Sequence, residues 1–173
     1  MKITKISLFV ISMFFMLTSC ETLQEPKVEY GPVYPLSGEW LVRFIGPKTV
    51  GAVVDTSAFA TVSTFNAADN STTSLWIRKT TSNAHVGAFT VKSTCDVAAK
   101  SFSGNALVNG VLVAGVSVGT CTVTDGLVTK DGWDTNSGYK SDKITFTIVD
   151  SRKPTLVYKA EGYRRTGWYE DEN

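Results

Sequence analysis

The chain is poor in the side chains that most catalytic and metal sites use. Of its 173 residues one is histidine, His85, and three are cysteine. Neither Cys95 nor Cys121 has a histidine or a second cysteine at metal-ligand spacing, so no metal site is expected. No motif for a cofactor is present, and none is expected. Charge of one sign is also lacking. With 17 basic and 16 acidic residues the chain has no electrostatic footprint for nucleic acid. No apolar run reaches the ~20 residues that a membrane-spanning helix needs. No segment of useful length repeats its apolar residues with a 3.6 period, which argues against a helical domain. A hydrophobic content of 43% argues equally against disorder.

What is present begins at the N-terminus. Lys2 and Lys5 precede an apolar run of about twelve residues, Ile6 to Leu17, and then small residues follow. That run fits the apolar centre of an export signal over residues 1–19. Leu17-Thr18-Ser19-Cys20 matches the bacterial lipobox, in which the cysteine thiol receives a diacylglycerol and the freed amine a further acyl chain. The expected mature protein starts at Cys20 and hangs from a membrane by those chains, at the outer membrane or elsewhere in the cell envelope, facing either side. Residues 20–35, with Pro26, Pro32 and Pro35, read as a tether. Residues 36–173 read as one domain, large enough to bury its own core. Loss of Lys2 and Lys5 with the signal tips the balance to slightly acidic, so the acyl chains must supply the membrane affinity. With Cys20 acylated, Cys95 and Cys121 remain. They either close a loop of about 27 residues as a disulfide worth roughly 3 kcal/mol, or pack as two reduced thiols.

From Leu36 onward the pattern is strand and turn. Trp40, Val42 and Phe44 alternate with Leu41, Arg43 and Ile45 until Gly46-Pro47 stops the run. Further strands are expected over Phe59–Phe65, from Leu75, around Phe89, over Val97–Ser103, Ala106–Val108 and Val111–Val113, and over Val116–Val123 and Leu127–Trp133. Ile144, Phe146 and Ile148 alternate with threonines, and Leu156–Tyr163 follows. Asn109-Gly110 and Asp125-Gly126 read as hairpin turns, because these residue types tolerate positive φ. Strands at this spacing predict an all-β fold, an antiparallel barrel or sandwich.

Three stretches carry a resemblance: Pro35-Leu36-Ser37-Gly38-Glu39-Trp40, Thr64-Phe65-Asn66-Ala67-Ala68-Asp69 with Leu75-Trp76 beyond, and Gly162-Tyr163-Arg164-Arg165-Thr166-Gly167-Trp168. Together they resemble the Bacteroidetes lipoproteins catalogued as lipid-binding putative hydrolases, a family given a lipocalin-like fold. The resemblance covers nearly all of Pro35 to Asn173 and implies a single antiparallel lipocalin-like β-barrel of about eight strands. The chain departs from the pattern at Val86-Gly87-Ala88, where aromatics are expected. The family name implies ligand binding and perhaps hydrolysis, but brings no catalytic motif that maps onto this chain.

The residues themselves favour binding over catalysis. Gly115-Val116-Ser117-Val118-Gly119 has the spacing of a nucleophile elbow, yet no histidine follows Ser117 and no helix is expected behind it. His85 precedes it in a polar stretch and reads as a solvated loop residue. Asp134-Thr135-Asn136-Ser137-Gly138 begins like a calcium loop but has Thr145 at the twelfth position, so a hairpin loop is expected. Glu39 and Glu161 sit near strand ends at an unknown separation. No catalytic residue is assigned. Trp40, Trp76, Phe89, Phe146 and Tyr158 are candidates to line a cavity, which an eight-stranded barrel can offer to one small ligand. Arg164 and Arg165 either set a cation at the mouth or stack on Trp40 or Trp168 to close the floor. The expectation is non-catalytic binding of an apolar or amphipathic, lipid-like ligand, with a lipid hydrolase or a solid-barrel accessory protein as the alternatives.

Overall fold

The computed structural model describes residues 29–172. The expected signal and Cys20 lie outside them. Eight antiparallel strands close a barrel: β1 (Gly38–Pro47), β3 (Ala60–Asn66), β4 (Ser74–Lys79), β5 (Phe89–Asp96), β6 (Ser101–Val108), β9 (Thr120–Asp134), β10 (Lys140–Asp150) and β11 (Val157–Arg164), with β11 returning to pair with β1. A short strand, β2 (Val54–Thr56), adds to the outside of β1, and β7 (Leu112–Val113) pairs with β8 (Val116–Ser117) in a separate hairpin. The lipocalin-like barrel expectation holds.

Strict alternation drives the closure. β1 buries Trp40, Val42 and Phe44 completely and turns its intervening residues outward. β10 does the same with Ile144, Phe146 and Ile148. Each such strand gives one face to the interior and one to solvent, as a period of two requires. Closure needs one close approach. Gly162 of β11 lies opposite Val42, and a Cβ there would sit 2.0 Å from the Leu41 carbonyl oxygen.

Two sequence-based turns are placed differently. Asp125-Gly126 is not a hairpin: β9 runs unbroken through it, and Asp125 has φ of 55° where the pairing with β10 shifts register. That is a β-bulge, which bends a long strand around the barrel. Gly126 is there for space, since a Cβ would lie 2.3 Å from the Phe102 carbonyl oxygen. Asn109-Gly110 is not a hairpin tip either. Ala114 and Gly115, with φ of 49° and 81° between the paired Val113 and Val116, make the two-residue turn. Asn109 is buried instead, its amide oxygen accepting from the backbone N–H of Thr90 and Val111.

The barrel has two unlike ends. One gathers the start of β1, the β3–β4, β5–β6 and β9–β10 turns and the C-terminus. The other gathers the β1–β2 hairpin, residues 80–88, the β7–β8 hairpin and residues 151–156. At the first end the chain enters through a 3-10 turn, Tyr34–Leu36, which with Val33 buries Leu36 against the core. The last residues of the expected tether therefore belong to the folded unit, which begins at Gly31.

Gly162→Ala should destabilise the fold by about 2–3 kcal/mol through overpacking against backbone. Urea unfolding of the variant beside the wild type measures it; an unchanged midpoint would show that β1 and β11 have room to separate there.

Candidate functional site

At the entry end the polar groups around Trp40 and Arg164 have structural tasks, while Ser74 Oγ is buried without a partner. The Trp40 indole N–H donates to Thr64 Oγ1 at 2.8 Å, and that hydroxyl donates to the Leu36 carbonyl at 2.5 Å. The Arg164 guanidinium lies 4.5 Å from the Trp40 ring centroid, donates to the Ser37 carbonyl, and reaches Asp142 at 3.2 Å. Of the two tasks expected for the arginines, Arg164 performs the closing one. Arg165 is clasped by Glu172 at 2.5 Å and Glu39 at 3.2 Å, which push its pKa up. Asp171, buried at 1% exposure, accepts from Ser137 N and Oγ and Thr166 Oγ1 at 2.6–2.8 Å. Burial opposes its ionisation, but those hydrogen bonds outweigh it and lower its pKa. They tie the β9–β10 turn to the C-terminus, so Asp134–Gly138 is a hairpin loop. A polar groove of about 930 Å³ runs along Glu39, Arg165, Thr166 and Glu172, and its charges are already paired.

Side chains fill the interior. Trp40, Phe89 and Tyr158 have no exposure and Phe146 only 1%. Phe146 packs edge-on to Phe44 at 6.3 Å and meets Phe102 at 5.9 Å. The candidate lining residues are thus divided: Trp40 at the entry end, Phe146 between, Phe89 and Tyr158 at the far end. Trp76 stands apart. It is half-buried on the outer face of β4, opposite Phe65 and Lys92, while Leu75 and Ile77 point inward.

Of the two readings for Cys95 and Cys121, the structure has the pair of reduced thiols. Both are free. Cys95 pairs with Phe102 near the entry end, whereas Cys121 lies beside Leu107 and Asp150 at the far end, with β6 between their strands. No disulfide spans such a gap, since bridged Cα atoms stand within ~7 Å. Burial, with the Asp150 carboxylate beside it, pushes the Cys121 thiol up to about 12, which makes it a poor nucleophile.

The far end is chemically distinct. Residues 80–88 fold over it as a cap, turning His85 and Val86 inward at 2% and 1% exposure. His85 is therefore a buried residue, not the solvated one its polar neighbours suggest; Asn83 Oδ1 makes the inward turn by accepting from the N–H groups of His85 and Val86. The opposite loop latches the cap. Lys153 donates to the carbonyls of Ala84 and His85 at 2.8 and 3.2 Å, and Arg152 to that of Ala88 at 3.0 Å. Arg152 is itself held by the buried Asp150. It lies flat against Gly87, within 2.5 Å of where a Cβ would be, so Gly87 gives the latch its room.

Beneath the cap sits Lys79, the last residue of β4 and fully buried. It keeps the inward register of Leu75 and Ile77. Its ammonium donates to the carbonyls of Thr81 and Val86 and lies 5.6 Å from the Phe44 ring centroid. Among the described residues no carboxylate pairs with it. The Tyr158 hydroxyl and His85 Nε2 are also buried and have no hydrogen-bond partner, their rings 5.9 Å apart. Sequence reasoning missed Lys79, because a lysine ending a strand ordinarily points to solvent; only its place in the period-two register marks it.

Around this end stand exposed aliphatic side chains: Val50, Val53 and Val54 on the β1–β2 hairpin, and Leu112, Val113 and Val116 on the β7–β8 hairpin, each at least 61% exposed. Among the described residues Ser117 is not paired with His85: its Oγ donates to the Asn109 carbonyl at 2.7 Å. Glu39 and Glu161 both face outward, four β1 positions or ~13 Å apart along the strand, each held by an arginine.

The sequence profile of the lipid-binding putative hydrolase family matches residues 25–169. The chain belongs to this family. None of the curated proteins matches it. A lipid-binding family and a closed barrel with an apolar rim agree with one another, and they direct attention to the capped end.

Burial, with the Arg152 cation as a second cause, brings Lys79 from 10.5 down to about 8. Its charge therefore costs the folded state free energy in full below pH 8. The cost is relieved as pH rises from there toward 10.5, because the unfolded chain still holds the proton. Wild type should gain on the order of 1–3 kcal/mol relative to Lys79→Met across that window. Urea unfolding at several pH values tests this; parallel profiles for the two proteins would show that Lys79 is not a buried ammonium.

Proposed function

We propose that this protein is a lipid-anchored envelope protein that binds a lipid-like amphiphile, without catalysis, at the capped end of its barrel. The observation that carries the reading is the apolar rim. Six exposed aliphatic side chains project from two hairpins on opposite sides of one barrel end. Exposed apolar side chains gathered at one end of a barrel mark ligand, partner or membrane contact. The packed interior supports binding at the rim and cap rather than in a large open cavity. Acyl chains on Cys20 supply the anchor, and the outer membrane is the proposed site. The signal, lipobox and membrane-facing chemistry support this placement without choosing a leaflet.

Two outcomes follow. Cys20→Ala should abolish incorporation of labelled palmitate and release the protein into the soluble fraction; a variant that still labels and sediments with membranes would sink the anchor. Val53→Asp with Val113→Asp should reduce lipid recovered by native mass spectrometry and extraction at least about fivefold, as charge on an apolar contact costs ~1 kcal/mol or more. Equal recovery from both proteins would remove the rim from the binding site.

A further inference from the structure

The cluster beneath the cap has the donors that an anion site uses. Lys79 carries an ammonium with no exposure and no carboxylate partner among the described residues. An ammonium has three donors, and its two acceptors here are backbone carbonyls of the cap itself, Thr81 and Val86. The buried acid of this end, Asp150, is committed to Arg152 through both oxygens. A buried cation left with neutral partners is costly, and removal of a partner from such a charge costs several kcal/mol. The neighbouring polar atoms lack partners too. Tyr158 Oη and His85 Nε2 are sealed from water and bond to nothing, which few buried groups in folded proteins tolerate without a purpose.

All three groups can donate. The phenol has a proton to give, and burial, with the Asp150 charge second, raises its pKa and keeps it protonated. The imidazole donates from Nε2 in one tautomer or when protonated. The His85 and Tyr158 rings lie 5.9 Å apart, and Lys79 bonds the carbonyl of Val86, the neighbour of His85; such a set of donors, one of them a full charge, selects an anion. A neutral hydroxyl head group would leave the ammonium uncompensated, and a cationic one would be repelled by Lys79, Arg152 and Lys153. The surroundings select the rest of the ligand. Phe44 and Phe89 close the site from the barrel side, and the exposed valines and Leu112 rim it from outside.

We infer that Lys79, His85 and Tyr158 receive the anionic head group of a single-chain amphiphile, a carboxylate or a phosphate monoester, whose acyl tail lies along the apolar rim. This rests on the binding reading above and names the ligand class and the residues that select it. The cap is the element that exchanges. Lifting residues 80–88 frees the Lys79 ammonium from the Thr81 and Val86 carbonyls, and the ligand's oxygens take their place. The carbonyls of Ala84 and His85 accept from Lys153, and that of Ala88 from Arg152 and from the buried Asn109 amide at 3.4 Å, so lifting the cap gives up side-chain hydrogen bonds and none of the barrel ladder.

The test is calorimetric titration of the full chain with dodecanoate, dodecyl phosphate and dodecanol at pH 7. The wild type should bind at least one anion about tenfold or more tighter than the alcohol, as charge-assisted hydrogen bonds are roughly twice as strong as neutral ones. Lys79→Met should lose that preference while its affinity for dodecanol stays within about twofold. Tyr158→Phe, which removes one oxygen from a packed ring, should lose about three- to tenfold for the anions, and it carries the test should the Lys79 variant fold poorly. The better of the two anions names the source of the charge. As the only histidine, His85 gives an independent reading: its ring NMR signals should move on titration with the anion and stay put with the alcohol. Anion affinity undiminished in both variants, or alcohol bound as tightly as anion by wild type, would overturn the head-group assignment alone. Failure of the wild type to bind any of the three would overturn the binding reading and this inference together.

Discussion

The structure depends first on the seam where β11 meets β1. Eight strands can pair into an open sheet without it, but only this seam removes the two free edges and encloses a core. It is secured in two ways. Gly162 lets the two backbones approach, and the Arg164 guanidinium covers the face of Trp40 while capping the Ser37 carbonyl. The first is steric permission and the second is attraction, of order 0.5–2 kcal/mol for a partly desolvated cation over an indole. Trp40 then reaches Thr64, and Thr64 reaches Leu36, so the entry turn, β1, β3 and β11 are fastened at one place.

That fastening decides where function can sit. At the entry end the indole and the two arginines are already engaged, and the polar groove beside Arg165 illustrates it: its cation is shared by Glu39 and Glu172. The capped end is the reverse. Its lysine, histidine and tyrosine are buried without full satisfaction, and its hairpins carry apolar side chains into solvent. Native proteins keep such departures from local optimality mainly where they are used.

How much of this was readable beforehand follows from what kind of signal each residue gives. Strand alternation is plain in β10, where Ile144, Phe146 and Ile148 are separated by threonines, whereas in β1 only Arg43 among Leu41, Arg43 and Ile45 marks the outer face. The Arg164 stacking on Trp40 was one of two readings that the arginines allowed. In β4 alternation fails as a guide: Leu75, Trp76 and Ile77 are all apolar, so their facing is set by pairing with β3 and β5 and not by composition. The turns at Asn109 and Asp125 misled for a related reason. Positive φ at Asp125 serves a bulge as readily as a hairpin, and Asn109 uses its side chain to bridge strands. The separation of Cys95 from Cys121 required the strand order, because β6 intervenes. Least legible was the cap. A polar run from Thr80 to Asn83 predicts solvent exposure, yet Asn83 turns His85 inward locally and Lys153 and Arg152 hold the cap down from across the mouth.

The distance between seam and cap has an evolutionary consequence. Substitutions more than ~7–10 Å apart without shared partners act independently, and the loops of the capped end share none of the hydrogen bonds that fasten Trp40, Thr64 and Arg164. Sequence drift in residues 80–88 or in the two hairpins can therefore change the capped end while the closure of the barrel goes on unaltered. A fold divided in this way lets one terminus of the barrel change under selection while the tryptophan–arginine pair keeps the other closed.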